Sequence, residues 1–227
     1  HMIYSRFWHK FLYDIGVVPC DEPYAKRTAQ GLILGPDGEK MSKSKGNVVD
    51  PNDVVDEYGA DVLRTYVLFM GDYTSAAPWS ESSVRGCKRF IERVWGMLFM
   101  TKGKGTTEKL ESSFHKTVKK VSSDIEQMKF NTAIAAMMAL MNEFDQNGGA
   151  TRGEYRTLLL LLDPFVPHMA EEIWERLAFG GQLSQAAWPT YDEAKCVEST
   201  LEIALQINGK IRDRIRVAAD IAAPDAI

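Results

Sequence analysis

EKMSKSKGN, residues 39–47, is the stretch of this chain that decides its fold. Lysines alternate there with small hydroxyl residues and no apolar face is available for burial, so the stretch predicts an exposed, mobile loop. Just upstream, the apolar run at residues 31–34 predicts a short buried strand, and the Gly-Pro-Asp-Gly sequence at residues 35–38 predicts a tight turn. We therefore expect a hairpin whose far side carries a cationic, serine-lined loop.

The chemistry best suited to such a loop is the binding of polyphosphate. A lysine ammonium is a compact charge that matches phosphate oxygens, and serines at alternate positions donate hydrogen bonds from the same side. Gly46 allows backbone amides to approach a ligand. Composition alone also allows a simpler interpretation, in which the stretch is a solvated lysine loop or a basic targeting tract.

The order of the residues resembles a known family. Residues 40–44, Lys-Met-Ser-Lys-Ser, are similar to the signature loop of class I aminoacyl-tRNA synthetases. The sequences Gly-Asn-Val-Val-Asp-Pro at 46–51 and Tyr-Gly-Ala-Asp-Val-Leu-Arg at 58–64 resemble its continuation in the leucine, valine, isoleucine and methionine enzymes. The flanking residues 4–11 and 78–81 most resemble the leucyl enzymes. The resemblance covers nearly the whole chain, with separated motifs in the family's order.

The resemblance implies a mainly α fold in three parts. Residues 1–78 would form the end of a class I synthetase catalytic fold with the signature-loop hairpin and connecting helices. Residues 79–190 would form an antiparallel helical bundle of the tRNA-binding, anticodon-binding type. Residues 191–227 would contribute a β-hairpin that begins a small, incomplete C-terminal domain contacting tRNA.

The resemblance also implies a reaction and its participants. In the family, the carboxylate of leucine attacks the α-phosphate of ATP to give leucyl-adenylate and pyrophosphate, and the aminoacyl group then passes to tRNA(Leu). Lysines with Mg²⁺ stabilise the charge on the leaving pyrophosphate. This catalytic role is carried over to Lys43 first and Lys40 second. The ATP-binding residues implied are Lys40, Met41, Ser42, Lys43 and Ser44.

Length and composition set the limits for the rest of the chain. The 227 residues are 45% hydrophobic and 26% charged, which is ordinary for a globular protein. The net charge of −4 gives no global nucleic-acid signature, so RNA contacts must come from local basic patches. The three cysteines share no metal-ligand or redox spacing, which favours a reducing compartment. With no apolar run of membrane-spanning length and no visible secretory signal, we expect a cytoplasmic monomer without a metal site of its own.

The chain opens inside an apparent helix, residues 2–15, whose apolar positions predict packing inside a catalytic domain. A complete synthetase of this type is several times longer. The His-x-Gly-His motif, which forms the other half of the family's ATP site, does not occur here. We therefore expect a fragment that does not form adenylate by itself.

The helical pattern continues through the remaining chain. Helices are predicted from Pro51 to Gly59, from residue 60 to 70, after Ser80, after Thr107, from about 131 to 146, after Thr151, and from Pro167. Asp61 and Arg64 are spaced to pair on one helix surface. The methionines of the 131–146 helix are expected in the core. His168 is expected to have a structural role.

Near the C-terminus the hydrophobic period changes from helix to strand. Asn208-Gly209 indicates a hairpin turn. An odd-length loop with a bulge at Gly209 would keep the two faces consistent and set Glu202 beside Arg214. One face would then be basic, and it is either a solvated strand face or a contact with the RNA backbone. The residues of this face are Lys210, Arg212, Arg214 and Arg216.

Two other interpretations account for the same sequence. The chain is also consistent with a stand-alone tRNA-binding module derived from a synthetase. The valyl and isoleucyl enzymes share the loop motif, although the opening residues and the Lys45-Gly46-Asn47 continuation favour the leucyl enzymes.

Overall fold

The computed structural model describes residues 1–197, 200–207 and 210–218; in the last two ranges it describes the backbone, together with the exposed side chain of Arg212. The fold is mainly α. The helices are α1 Met2–Asp14, α2 Pro51–Tyr58, α3 Ala60–Phe69, α4 Glu81–Met97, α5 Glu111–Glu126, α6 Phe130–Gln146, α7 Arg152–Leu162 and α8 Pro167–Arg176. The strands are β1 Ile33–Leu34, β2 Ala77–Pro78, β3 Thr200–Ile207 and β4 Lys210–Ala218.

Helix α1 begins at the predicted residue and ends one residue before the predicted end, but it buries none of its residues. The side chains of Phe7 and Trp8 are 71% and 60% exposed, so the expected packing of the aromatic residues does not occur within the part of the chain that the structure describes. The helix is attached through polar contacts instead. Glu22 accepts a hydrogen bond from Nε of Arg6 at 2.9 Å and pairs with Lys10 at 3.0 Å.

Strand β1 pairs in parallel with β2, a partner that the sequence did not suggest. Backbone hydrogen bonds from Ala77 N to Leu32 O at 3.1 Å and from Trp79 N to Leu34 O at 3.0 Å hold the two segments together. Gly31 makes the approach possible, because a Cβ added there would lie 1.8 Å from the carbonyl oxygen of Ser75. The strand is only half-buried, so its predicted burial is wrong.

A small core joins the end of this sheet to the helices that follow. Asp50 accepts a hydrogen bond from Asn52 N at 2.8 Å and starts α2, with Pro51 in the first turn. Gly59, with φ of 92°, separates α2 from α3. The buried side chains of this core are Val54, Val62, Tyr66, Trp79, Val84 and Cys87.

Asp61 and Arg64 do not pair with each other, which corrects the expectation from their spacing. Nε and Nη2 of Arg64 donate to the carbonyl oxygens of Phe165 at 3.2 Å and Pro164 at 2.9 Å. Asp61 accepts from the backbone N–H of Met169 at 2.7 Å. Both side chains therefore fasten α3 to the segment that leads into α8.

Helices α4 to α8 enclose the larger core, as the apolar stripes predict. Helices α5 and α6 are joined only by residues 127–129 and pack against each other as a helical hairpin. Met137 and Met141 of α6 are fully buried, which confirms their core role. The run from Leu158 to Leu162 is buried on every side of α7, as expected for a central helix.

The first residues of α7 and α4 show which local sequence signals predicted the helix caps. Thr151 is the N-cap of α7, as the sequence predicts, and Glu154 completes a capping box with it. Ser80 is the N-cap of α4, but its hydroxyl contacts those of Ser82 and Ser83 and not a backbone N–H.

None of the described helices has both the length and the apolarity needed to cross a membrane. The cysteines are free: Cys20 is exposed, Cys87 buried and Cys196 half-buried.

Strands β3 and β4 form the predicted antiparallel hairpin, with a different register. The extra residue is Arg212 in β4, since Leu205 opposes Asp213 and Gln206 opposes Ile211. As a result Glu202 opposes Arg216, so the expected pairing with Arg214 is wrong. The proposed bulge at Gly209 lies outside the described residues.

Candidate functional site: the lysine loop

The lysine loop, residues 39–47, is anchored at its base by the hairpin that follows β1. The backbone N–H of Gly35 donates to the carbonyl oxygen of Glu39 at 2.8 Å, and Leu34 forms a single antiparallel bridge with Lys40. Asp37 accepts from the backbone N–H of Glu39 at 3.0 Å. The turn therefore brings the start of the loop back beside β1.

Asn47 closes the loop from its other end. Its side-chain oxygen accepts from the backbone N–H of Ser42 at 2.8 Å, and its amide nitrogen donates to Asp37 at 3.0 Å. The same nitrogen lies 3.4 Å from the carbonyl oxygen of Lys40. One side chain thus connects the turn, the first part of the loop and its end.

The closure of the loop by Asn47 constrains both Gly35 and Asp37. A Cβ added at Gly35 would lie 2.7 Å from Oδ1 of Asp37 and 2.9 Å from Nδ2 of Asn47. Hydrogen bonds from the Glu39 backbone N–H and then from the Asn47 amide, with the charge of Lys45, hold the pKa of Asp37 below its usual value. The ionised carboxylate of Asp37 is therefore favoured, and it accepts the hydrogen bonds that hold the base of the loop.

The three loop lysines are in different electrostatic situations. Lys45 pairs with Glu39 at 3.6 Å. Lys40 and Lys43 are exposed, and neither forms an ion pair with any residue in the described part of the chain. Lys43 begins a 3₁₀ turn, Lys43–Lys45, which Gly46 ends in the left-handed conformation with φ of 66°. Two ammonium groups are consequently available to an anionic ligand.

The remaining motif residues support this arrangement. The hydroxyl oxygens of Ser42 and Ser44 are 2.8 Å apart, so the two serines lie on the same side of the turn. Met41 is half-buried and packs on the small core with Ile33 and Val49. The structure therefore brings together all five predicted ATP-loop residues, with the methionine as the apolar anchor and the lysines directed to solvent.

The second predicted group of site residues lies elsewhere, on β4. In the backbone register Lys210 opposes Ile207 and Arg214 opposes Ala204, in a sheet separate from the one that supports the lysine loop. Arg212 is the bulged residue, and its side chain is exposed. The side chains of Lys210, Arg214 and Arg216 are outside the described part of the chain.

The sequence alone did not assign roles to Asn47 and Asp37, the residues that hold the loop. The available signal was an amide and a carboxylate at the two ends of a polar stretch, which is also common in ordinary turns. Within residues 1–197, 200–207 and 210–218, no three His, Cys, Asp or Glu side chains lie close enough together to hold a metal ion.

Two family models match the chain. The anticodon-binding domain of tRNA ligase matches residues 108–227, and the class I tRNA synthetases for isoleucine, leucine, methionine and valine match residues 4–80. A curated leucine–tRNA ligase from Alkaliphilus oremlandii (strain OhILAs) is 51% identical over 224 residues, which are 98% of this chain and 28% of that protein.

Two solved structures have a fold similar to that of this chain. The ternary complex of Agrobacterium radiobacter K84 agnB2 LeuRS-tRNA-LeuAMS matches with a TM-score of 0.74 and 33% identity, over 100% of this chain and 31% of that one. Methionyl-tRNA synthetase of Mycobacterium tuberculosis with methionyl-adenylate matches with a TM-score of 0.53 and 17% identity, over 74% and 40% of the chains, and shows the fold alone. The chain spans less than a third of the leucine enzymes that it matches.

Proposed function

The chain belongs to the tRNA ligases that carry this anticodon-binding domain, and on that premise we propose that it is part of a leucine–tRNA ligase. It would supply the loop that binds the phosphates of ATP and the helical bundle that binds tRNA(Leu). The whole enzyme would activate leucine with ATP and transfer it to that tRNA. The 51% identity to a leucine–tRNA ligase supports this assignment over the valyl and isoleucyl alternatives.

One observation carries the proposal for the loop. Lys40 and Lys43 are exposed and unpaired within the described chain, while Asn47 and the bridge at Leu34 fix the base on which they stand. Unpaired ammonium groups on a fixed base attract phosphate without first breaking an ion pair of their own. A loop that is only solvated would gain nothing from unpaired lysines on a fixed base.

The lysines and serines of the loop would have different roles in binding the phosphates. Lys43 would bind the phosphates that leave as pyrophosphate, and Lys40 would add a second charge beside it. Ser42 and Ser44 would donate hydrogen bonds from the same side as one another. Ammonium and hydroxyl groups suit phosphate oxygens and not a metal ion, so Mg²⁺ would arrive with the nucleotide and neutralise phosphate charge there.

The remaining expectations stay proposals of the same kind. We place the catalytic part at residues 1–78, the bundle at 79–190 and the start of a C-terminal domain at 191–227. The basic residues of β4, Lys210, Arg212, Arg214 and Arg216, would contact the RNA backbone. A cytoplasmic monomer fits these assignments. The chain alone would not support leucine-dependent ATP–pyrophosphate exchange, since it lacks His-x-Gly-His.

The test is Lys43→Ala in the full-length ligase, with Lys45→Ala as the matched control. Pre-steady-state kinetics should show adenylate formation slowed roughly 100-fold by Lys43→Ala, with leucine binding unchanged. Lys45, already paired with Glu39, should have a much smaller effect. Equal losses in the rate of adenylate formation and in leucine affinity, or equal effects of the two substitutions, would contradict the role given to Lys43.

A further inference from the structure

A groove of about 360 Å³ lies between α4 and α6, outside the lysine loop. We call it the α4–α6 groove. Phe90 is buried at its floor and Met138 is half-buried beside it. The residues that line the groove are Gly86, Arg89, Phe90, Arg93, Met138 and Asn142.

Arg89 gives the groove its net charge. It is exposed, and within the described residues it forms neither a hydrogen bond nor an ion pair. An arginine guanidinium keeps its charge at every physiological pH and presents a planar set of donors that matches two phosphate oxygens. The groove therefore offers an uncompensated cation with the geometry for phosphate.

Arg93 stands one helical turn beyond Arg89 and is already oriented. Its Nε donates to Asp145 at 3.1 Å, and its Nη2 donates to Asn142 at 2.8 Å. Asp145 offsets the charge of Arg93, so this arginine shapes the wall of the groove more than it charges it. The charge available to a ligand is that of Arg89.

Gly86 lies in the interior of α4, where glycine costs about 1 kcal/mol relative to alanine. Its φ is not in the left-handed region, and a Cβ added there would meet no atom within 4 Å. Neither backbone geometry nor packing against the described residues thus requires a glycine. Because Gly86 has no side chain, another molecule can approach the helix surface beside the unpaired Arg89.

We propose that the α4–α6 groove receives the ribose-phosphate backbone of the tRNA, with Arg89 binding a phosphate and Gly86 admitting the backbone to the helix surface. The inference rests on the proposed tRNA-binding function and adds a location for the contact. A phosphate-rich partner is favoured because the unpaired group that lines the groove is a cation.

The experiment measures binding of the 227-residue chain to a transcript of leucine tRNA at several salt concentrations. Arg89→Ala should weaken binding by about tenfold and lower the slope of log K against log salt by about 1. Arg89→Lys keeps the charge and should recover part of the affinity. An unchanged slope for Arg89→Ala would overturn the proposal.

Gly86→Ala separates an RNA contact from a structural role. Alanine should raise the melting temperature because it favours the helix, and it should weaken tRNA binding severalfold because its methyl group occupies the approach. Gly96→Ala is the matched control, since Gly96 also lies in α4 with open space around a Cβ but does not line the groove. It should raise the melting temperature and leave binding unchanged.

The possible outcomes distinguish the inference from the function on which it rests. If the wild-type chain does not bind the transcript, both the tRNA-binding function and the groove are refuted for this chain. If the wild-type chain binds while Arg89→Ala and Gly86→Ala bind equally well, only the groove is refuted. That second result is also the one expected if the groove serves a protein partner.

Discussion

The carboxylate of Asp61 accepts a hydrogen bond from Nδ1 of His168 at 2.7 Å, and so joins the first turn of α3 to the first turn of α8. The same carboxylate accepts from the backbone N–H of Met169 at 2.7 Å. Val166, the N-cap of α8, has no side chain that can do this. Asp61 therefore caps a helix that is more than 100 residues distant in the chain.

Asp61→Asn should destabilise the chain by about 1–3 kcal/mol, because the new amide group faces N–H donors and the charge at the start of α8 is lost. The free energy of unfolding in a denaturant titration measures this. Asp56→Asn is the control, since Asp56 is exposed and its side chain forms no hydrogen bond or ion pair with the described residues. Equal unfolding free energies for the two variants would show that the capping contact contributes little.

Glu154 is fully buried and accepts from the backbone N–H groups of Thr107 at 2.6 Å and Thr151 at 2.7 Å. Glu154→Gln should cost about 2 kcal/mol, because the side-chain NH₂ group of glutamine would oppose one of these donors. For a chain of this size the melting temperature should fall by roughly 4–8 °C. The exposed Glu175→Gln should leave it unchanged, and a similar fall in both variants would contradict the explanation.

Asn47→Ala removes the side chain that closes the lysine loop while leaving both unpaired lysines in place. In the full-length ligase it should slow adenylate formation by about 10- to 100-fold, because the lysines lose their fixed positions. Thermal stability should change little, as Asn47 is at the surface of a short loop. Asn52→Ala, an exposed substitution in α2, is the comparison. An adenylate rate equal to that of the wild type would show that the closure is not needed.

Burial raises the pKa of Cys87 to about 11. Its thiol should remain protonated at pH 8 and react slowly with iodoacetamide, whereas the exposed Cys20 should react quickly. Because the pKa of Cys87 is raised in the folded state, its contribution to stability is present below about pH 9 and is lost as the pH rises toward 11. Mass spectrometry of the labelled peptides checks the order of reaction, and rapid native labelling of Cys87 would contradict its burial.

The helices could be predicted because their signals are local. The capping box of Thr151 and Glu154, and Pro167 in the first turn of α8, lie in the sequence beside the structure that they determine. The lysine loop was also recognisable, since its charge and small residues exclude burial. Its closure by Asn47 was not, because the partners of an amide side chain are not encoded in its neighbours.

The connections between distant segments were missed or mistaken for a similar reason. Asp61 and Arg64 have the spacing of a surface pair, and only the docked position of residues 164–169 gives them better partners. In the hairpin, alternation predicted one extra residue and placed it at Gly209, whereas the described pairing has an extra residue at Arg212. The pairing of β1 with β2 involves two residues on each side, too few to show a period.

That short parallel pairing has a consequence for the order of folding. Ile33 and Ala77 are more than 40 residues apart, and closing so long a loop for so few hydrogen bonds is entropically unfavourable. Packing of α2 and α3 shortens the flexible part of that loop before the strands meet. We expect the two-residue sheet to form late, so the hairpin of the lysine loop gains its anchor only after the helices beneath it have assembled.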